Sequence, residues 1–142
     1  MIKHRVLFLC TGNSCRSQMA EAIVNARMAD SWQAVSAGTK PAGFVHPNTL
    51  RVLAEIGIPH HGRSKSVEEF HNQDFDLVVT VCDSAAEECP LWLEKGKHAH
   101  LDFPDPAKAT GSDSEVMAVF RAVRDDIARR IPQLLVDVEP QS

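Results

Sequence analysis

Val6-Leu7-Phe8-Leu9-Cys10-Thr11-Gly12-Asn13-Ser14-Cys15-Arg16-Ser17-Gln18-Met19-Ala20-Glu21 is the stretch on which the fold turns. Arg5–Leu9 is a short apolar run of β type. Ser17–Met28 carries Met19, Ala20, Ile23 and Ala26 along one stripe of a helix. A strand, a tight loop and a helix N-terminus in that order make a cradle for an anion. Gly12 and Asn13 are residue types that tolerate left-handed backbone, which turns successive N–H groups inward, and the helix dipole adds positive potential at the same point. Arg16 can grip two oxygens of a tetrahedral oxyanion with its planar fork and lies close enough to favour the thiolate of Cys10. Ser17 can donate a hydrogen bond to that sulfur. The bare Cys-x5-Arg pattern should arise by chance in roughly one chain in ten of this size, so the strand–loop–helix setting gives it its meaning.

The same alternation continues outward from this stretch. Leu77–Val81 is a second buried β-type run, and Ala34–Ala37 and His98–Leu101 are weaker candidates. Asn48–Ile56 reads as a helix with Leu50, Leu53 and Ala54 on one face and Gly57 as its stop. The strongest helix is opened by the capping-box pattern Ser112-Asp113-Ser114-Glu115 and carries Val116, Val119, Phe120, Val123, Ile127 and Ile131 at spacings of three and four. Pro132 is expected to kink or end it. The resulting expectation is an α/β fold, an open four-stranded parallel sheet flanked by helices on both faces, with ligands at the carboxyl ends of the strands. With 142 residues and no linker or repeat, residues 1–142 are expected to form one domain, Asp137–Ser142 being a polar, flexible tail.

Composition excludes several classes. Apolar runs such as Val6–Cys10, none of them longer, fall far short of the ~20 residues of a membrane helix, and Met1-Ile2-Lys3-His4-Arg5 leads into no secretory apolar region. Lys and Arg total 15 against 19 Asp and Glu, so a nucleic-acid footprint is missing and an anionic ligand needs a local positive pocket. The 4 cysteines, Cys10, Cys15, Cys82 and Cys89, then point to a cytoplasmic, reducing setting, where thiols are more often catalytic or metal-binding than structural. For zinc, their spacings of five and seven match no common ligand pair, even with His98 and His100 one residue apart. The remaining histidines, His60 and His61 included, read as surface or loop residues.

The stretch Val6–Glu21, together with Ser36-Ala37-Gly38, resembles the phosphate-binding loop and second-strand end of the low-molecular-weight protein tyrosine phosphatase superfamily. The resemblance runs over essentially the whole chain. It implies Cys10 as nucleophile, Thr11, Gly12, Asn13, Ser14, Cys15, Arg16 and Ser17 as the oxyanion-binding loop, and a general acid from a late Asp-Pro pair. In Asp102-Phe103-Pro104-Asp105-Pro106, Asp105 fits that role best.

Departures from the phosphatase pattern narrow the branch. The family's classical members place an aromatic directly after the Asp-Pro, where this chain has Ala107; it contains no tyrosine, and Phe44 is the aromatic nearest to a wall. It has instead Val81-Cys82-Asp83-Ser84-Ala85-Ala86-Glu87-Glu88-Cys89-Pro90. That pair, with Ser17-Gln18-Met19-Ala20-Glu21 after the loop, is similar to the thioredoxin-coupled arsenate reductases of the superfamily. The resemblance implies that arsenate is attacked by Cys10 and that Cys82 and then Cys89 carry the two electrons through disulfides, with no bound cofactor and an external thioredoxin-like dithiol as reductant. A phosphatase of phosphotyrosine or small phosphoesters using Cys10, Arg16 and Asp105 is the alternative, and a non-enzymatic thiol sensor is a more distant one.

Two further expectations follow. Seven helical residues span ~10.5 Å, whereas disulfide Cα atoms lie within ~7 Å, so a helical Cys82–Cys89 segment must loop out on oxidation. Some family members bind potassium through residues matching Asn13, Glu21 and Ser36 with an acidic residue after the second helix, but Ser64-Lys65-Ser66 carries no acid. Cys15 is read as a buried loop residue, ranked below Cys82 and Cys89 for redox work.

Overall fold

β1 (His4–Cys10) sits at the centre of the molecule: in the computed structural model, which describes residues 3–82, 85, 87, 89–90 and 97–138, Val6, Leu7, Phe8 and Leu9 are completely buried. Both faces of this strand are therefore covered, which is why it reads as an unbroken apolar run without alternation. The sheet has 4 strands in the order β2-β1-β3-β4, where β2 is Trp32–Gly38, β3 Leu77–Thr80 and β4 Lys97–His100, and every pairing is parallel. β4 is an edge strand, and its Lys97-His98-Ala99-His100 sequence leaves polar side chains outward where an apolar edge would invite aggregation.

Helix α1 (Arg16–Arg27) packs on β1 and β2, and α2 (Pro47–Glu55) and α3 (Asp113–Val138) pack on it and on each other. The capping box predicted at Ser112 is present in both directions: the Glu115 N–H donates to Ser112 Oγ at 3.1 Å, and the Ser112 N–H to Glu115 Oε1 at 3.3 Å. Gly57 takes φ +77 at the end of α2, the left-handed turn expected of a helix stop.

Three expectations need correction. Pro132 does not end its helix: α3 runs six residues further, to Val138. An interior proline costs ~3 kcal/mol, but Ile131 and Leu135 on either side are fully buried, and each contributes ~1.5–3 kcal/mol by leaving water, enough to carry the helix through. Asp137 and Val138, assigned to the tail, are consequently helical, and residues 139–142 lie outside the described residues. Gly12 is not left-handed; Asn13, at φ +50, is the loop residue that is. The predicted looping out of Cys82–Cys89 falls on a segment of which residues 83, 84, 86 and 88 lie outside the described residues.

The topology brings the chemistry-bearing segments together. Leu9 pairs with Thr80, the Val81 N–H donates to the Leu9 carbonyl at 3.0 Å, and the Phe103 N–H donates to the Val81 carbonyl at 3.2 Å. The loop after β1, Cys82 after β3 and the Phe103–Asp105 segment after β4 thus meet at one end of the sheet, where open parallel sheets bind ligands.

Candidate active site

Cys10 is the last residue of β1 and is buried. Its sulfur lies 2.8 Å from Ser17 Oγ and receives the Asn13 N–H at 3.2 Å. Asn13 Nδ2 donates to Ser17 Oγ at 2.7 Å. A hydroxyl has one proton, and because this oxygen already accepts from Asn13 its O–H is free to point at the sulfur. Burial pushes the Cys10 thiol above its ordinary value, while Ser17, the Asn13 amide and the Arg16 charge pull it back down. The loop thus supplies specific support for a thiolate against the cost of enclosing it.

The loop's outer side is clamped in a way no motif revealed. Carbonyls of Cys10, Thr11, Gly12 and Ser14 accept from the N–H groups of Thr39 (3.1 Å), Lys40 (2.9 Å), Ala42 (2.9 Å) and His46 (3.1 Å). Ser64 Oγ adds a bond to the Gly12 carbonyl at 3.0 Å and accepts from the Gly43 N–H at 3.1 Å. With its carbonyls held outward, the loop turns its amides toward the opposite, cavity side, as an anion nest requires. Close approach explains Gly38 at the end of β2: a Cβ there would lie 2.4 Å from the Thr11 carbonyl oxygen.

Residues Cys10 to Arg16 line a cavity of about 300 Å³ that Phe44, His46, Asp105 and Ala107 also border. Arg16 is mostly buried; one guanidinium nitrogen donates to the Phe103 carbonyl at 3.0 Å, and the other lies 3.8 Å from Asp105 Oδ2. The second carboxylate oxygen of Asp105 accepts the Ala107 N–H at 3.0 Å and caps the short turn Pro106–Lys108. Asp105 is therefore held at the cavity wall beside Arg16, whereas Asp102 is exposed and offers its backbone carbonyl to Arg130. Among the described residues Phe44, 55% exposed, is the one benzene ring bordering the cavity, and Ala107 borders it with a methyl group.

Cys82 is buried, and its sulfur lies 3.4 Å from the Thr11 hydroxyl, inside the loop that holds Cys10. Cys89 is half-buried against the core. Cys15 is buried at the loop's far end, and burial raises its thiol to about 11 despite hydrogen bonds from Thr49 and Ser14, which fits a structural loop residue better than a nucleophile. All four cysteines carry unbridged sulfurs.

Sequence reasoning missed the residues behind the loop. Gln18 Nε2 donates to the Asn13 carbonyl (3.2 Å), to Asn13 Oδ1 (3.0 Å) and to the Arg63 carbonyl (3.0 Å), and Gln18 Oε1 lies 2.7 Å from His60 Nε2. The Lys65 N–H donates to Asn13 Oδ1 at 3.0 Å. Glu21 lies between two basic groups, Lys65 Nζ at 3.8 Å from one oxygen and His60 Nε2 at 3.8 Å from the other, and Ser36 Oγ donates to it at 3.2 Å. Burial pushes Glu21 up, opposed by Lys65, and pushes Lys65 down, opposed by Glu21; burial and Lys65 hold His60 below its ordinary value. His60 and Lys65 stand 39 to 47 positions from Gln18 and Glu21, and no periodicity or spacing joins them.

The potassium site that the resemblance implies at Asn13, Glu21 and Ser36 does not fit these residues. Asn13 Oδ1 is occupied by two N–H donors, and the Glu21 oxygen that faces Ser36 already faces the Lys65 ammonium. Among the described residues no group of three or more His, Cys, Asp or Glu could hold a metal ion, and no helix is long and apolar enough to cross a membrane.

Comparison with known proteins agrees with this geometry. The family model described as low molecular weight phosphotyrosine protein phosphatase matches residues 5–142. An arsenate reductase of Halalkalibacterium halodurans is 46% identical over 132 residues, covering 92% of this chain and 94% of the relative. The crystal structure of arsenate reductase from Archaeoglobus fulgidus superposes with a TM-score of 0.76 at 36% identity, over 92% of this chain and 98% of that one. A thioredoxin-dependent arsenate reductase of Corynebacterium glutamicum superposes with a TM-score of 0.73 at 27% identity, over 96% of this chain and 62% of that one. With its buried loop thiol, its arginine and its parallel four-stranded sheet, the chain belongs to the low molecular weight phosphotyrosine protein phosphatase family.

Proposed function

We propose that this chain is an arsenate reductase acting in the cytoplasm. The observation that carries the reading is a second buried thiol, Cys82, touching Thr11 of the nucleophile loop, because hydrolysis of a phosphoester has no use for it and reduction of an oxyanion does. Relatives bearing that activity by name, at 46% and 36% identity, support it.

Arsenate has the shape and charge of phosphate and is gripped by the loop amides and Arg16. The Cys10 thiolate attacks arsenic, a sulfur–arsenic bond forms, and a hydroxyl leaves as water with a proton from Asp105. The Cys82 thiolate then attacks the Cys10 sulfur. A disulfide forms, the sulfur–arsenic bond breaks, and its electron pair stays on arsenic, which departs as arsenite. Cys89 attacks Cys82, releasing Cys10 as a thiol and leaving a Cys82–Cys89 disulfide. The chain is oxidised by two electrons and arsenate reduced by two. An external dithiol protein of thioredoxin type, the donor class named for the Corynebacterium glutamicum relative, resets the chain through one mixed disulfide. With Ala107 in place of an aromatic and Phe44 the one benzene ring bordering the cavity among the described residues, a bulky aryl phosphate finds little to stack on, so phosphoester hydrolysis is expected to be weak.

The test is a turnover assay on purified protein with arsenate and either thioredoxin and its reductase or glutaredoxin with glutathione. Sustained arsenite production with thioredoxin supports the proposal. No arsenite with either donor, beside brisk hydrolysis of aryl phosphates, overturns it in favour of a phosphatase.

A further inference from the structure

Behind the loop, the hydrogen bonds run in one direction. A His60 Nε2–H donates to Gln18 Oε1 at 2.7 Å, Gln18 Nε2 donates to Asn13 Oδ1 at 3.0 Å, Asn13 Nδ2 donates to Ser17 Oγ at 2.7 Å, and the Ser17 O–H is left for the Cys10 sulfur at 2.8 Å. Each acceptor fixes the orientation of the next donor: an amide that accepts through its oxygen must present its nitrogen on the other side. Such a chain is polarised toward the sulfur and favours negative charge there. Its origin is the buried carboxylate of Glu21, 3.8 Å from His60 on one side and 3.8 Å from Lys65 on the other, with side-chain exposures of 13%, 9% and 11% for Glu21, His60 and Lys65. A carboxylate this enclosed needs a partner charge, and the Lys65 ammonium supplies it from within the chain. Lys65 Nζ also donates to the Arg63 carbonyl at 3.1 Å, which Gln18 shares. The Arg63 side chain itself turns outward to Glu69.

We propose that Lys65 and His60 are positioning residues for Cys10: the Lys65 ammonium beside Glu21 takes the place of a bound cation, and His60, donating to Gln18, holds Gln18, Asn13 and Ser17 in the one donor order that aims the Ser17 hydroxyl at the sulfur. The inference deepens the reading of the loop as an oxyanion site with Cys10 as nucleophile, and rests on it. The chain therefore has no need of potassium. An ion could reach the cluster, since Glu21, His60 and His61 border a surface cavity of about 380 Å³, so indifference to potassium reflects the charge already in place.

The experiment reads two quantities that need no arsenate turnover: the affinity for inorganic phosphate, and the pH profile of Cys10 alkylation by iodoacetamide, followed at that residue by mass spectrometry. Wild type, Lys65→Met, His60→Leu and Lys65→Met/Glu21→Gln are measured in potassium chloride and in choline chloride at equal ionic strength. Wild type is expected to behave alike in both salts. Lys65→Met and His60→Leu are expected to bind phosphate about tenfold more weakly and to move the alkylation midpoint up by about one pH unit, and the double variant to recover most of both, its uncompensated carboxylate being gone. A stability defect alone would leave the alkylation midpoint in place. If Lys65→Met does not fold, His60→Leu and the wild-type salt series still decide. A specific gain of wild type in potassium, or single variants with wild-type affinity and midpoint, overturns the inference. A wild type that binds no phosphate overturns the oxyanion reading and this one with it.

Discussion

Cys10 and Cys82 are both buried thiols at the carboxyl ends of adjacent parallel strands, yet their surroundings differ. Cys10 meets the Ser17 hydroxyl and the Asn13 N–H and lies under the Arg16 charge, and the loop around it is clamped outside by residues 39–46 and behind by Gln18 and Lys65. Cys82 meets the Thr11 hydroxyl, a group on that same loop. One thiol stands among groups that support its negative charge; the other lies against the loop that holds the first. The difference matches the order of chemistry proposed above, in which Cys10 acts on the oxyanion and Cys82 on what Cys10 becomes.

Substitutions that separate the two thiols should break this comparison if it is wrong. Cys10→Ser is expected to abolish both arsenate reduction and hydrolysis of a chromogenic phosphoester, since a hydroxyl is a far weaker nucleophile than the supported thiolate. Turnover in either assay would remove Cys10 from the mechanism. Cys82→Ala and Cys89→Ala are each expected to stop multiple-turnover reduction while leaving the weak hydrolysis largely intact; parallel loss of both activities would make those cysteines structural.

Smaller effects sharpen the contrast. Asp105→Asn is expected to slow the first chemical step by roughly 10²- to 10⁴-fold with phosphate affinity little changed, because in the proposed mechanism the carboxyl serves the leaving oxygen and Arg16 the bound anion. An unchanged single-turnover rate would shift the acid to Asp102. Ser17→Ala removes one hydrogen bond from the sulfur and is expected to raise the pH midpoint of Cys10 alkylation by about one unit. The sign follows from what is lost: a donor that favours the thiolate disappears while the burial that opposes it remains.

How much of this was legible in the sequence depends on the range of the interactions. The strands, α1, α2, the Ser112 cap and the Cys10–Ser17 loop are written in local periodicity and turn chemistry, and their bounds came out within a residue or two. Cys82 was legible because it follows a candidate strand, and parallel topology sends such a residue to the rim of the first loop, whereas Asp105 was singled out by the resemblance, through its late Asp-Pro pair. Pro132 misled because propensity is local and the burial of Ile131 and Leu135 is not. The clamp formed by Thr39, Lys40, Ala42 and His46 works through backbone N–H groups, which every residue but proline has, so no side chain announces it. His60 and Lys65 were unreadable for a different reason: their partners are Gln18 and Glu21 on α1, and only the folded chain brings those segments side by side.

The order of thiols is tested most directly by a single turnover without external reductant. Fully reduced protein is mixed with excess arsenate, arsenite is quantified, and the disulfides are mapped by mass spectrometry after acid quenching at successive times. The account predicts one arsenite per chain, a transient Cys10–Cys82 disulfide, and a final Cys82–Cys89 disulfide with Cys10 restored as a thiol. A final Cys10–Cys15 disulfide, or arsenite formed with Cys82 and Cys89 still reduced, would contradict it.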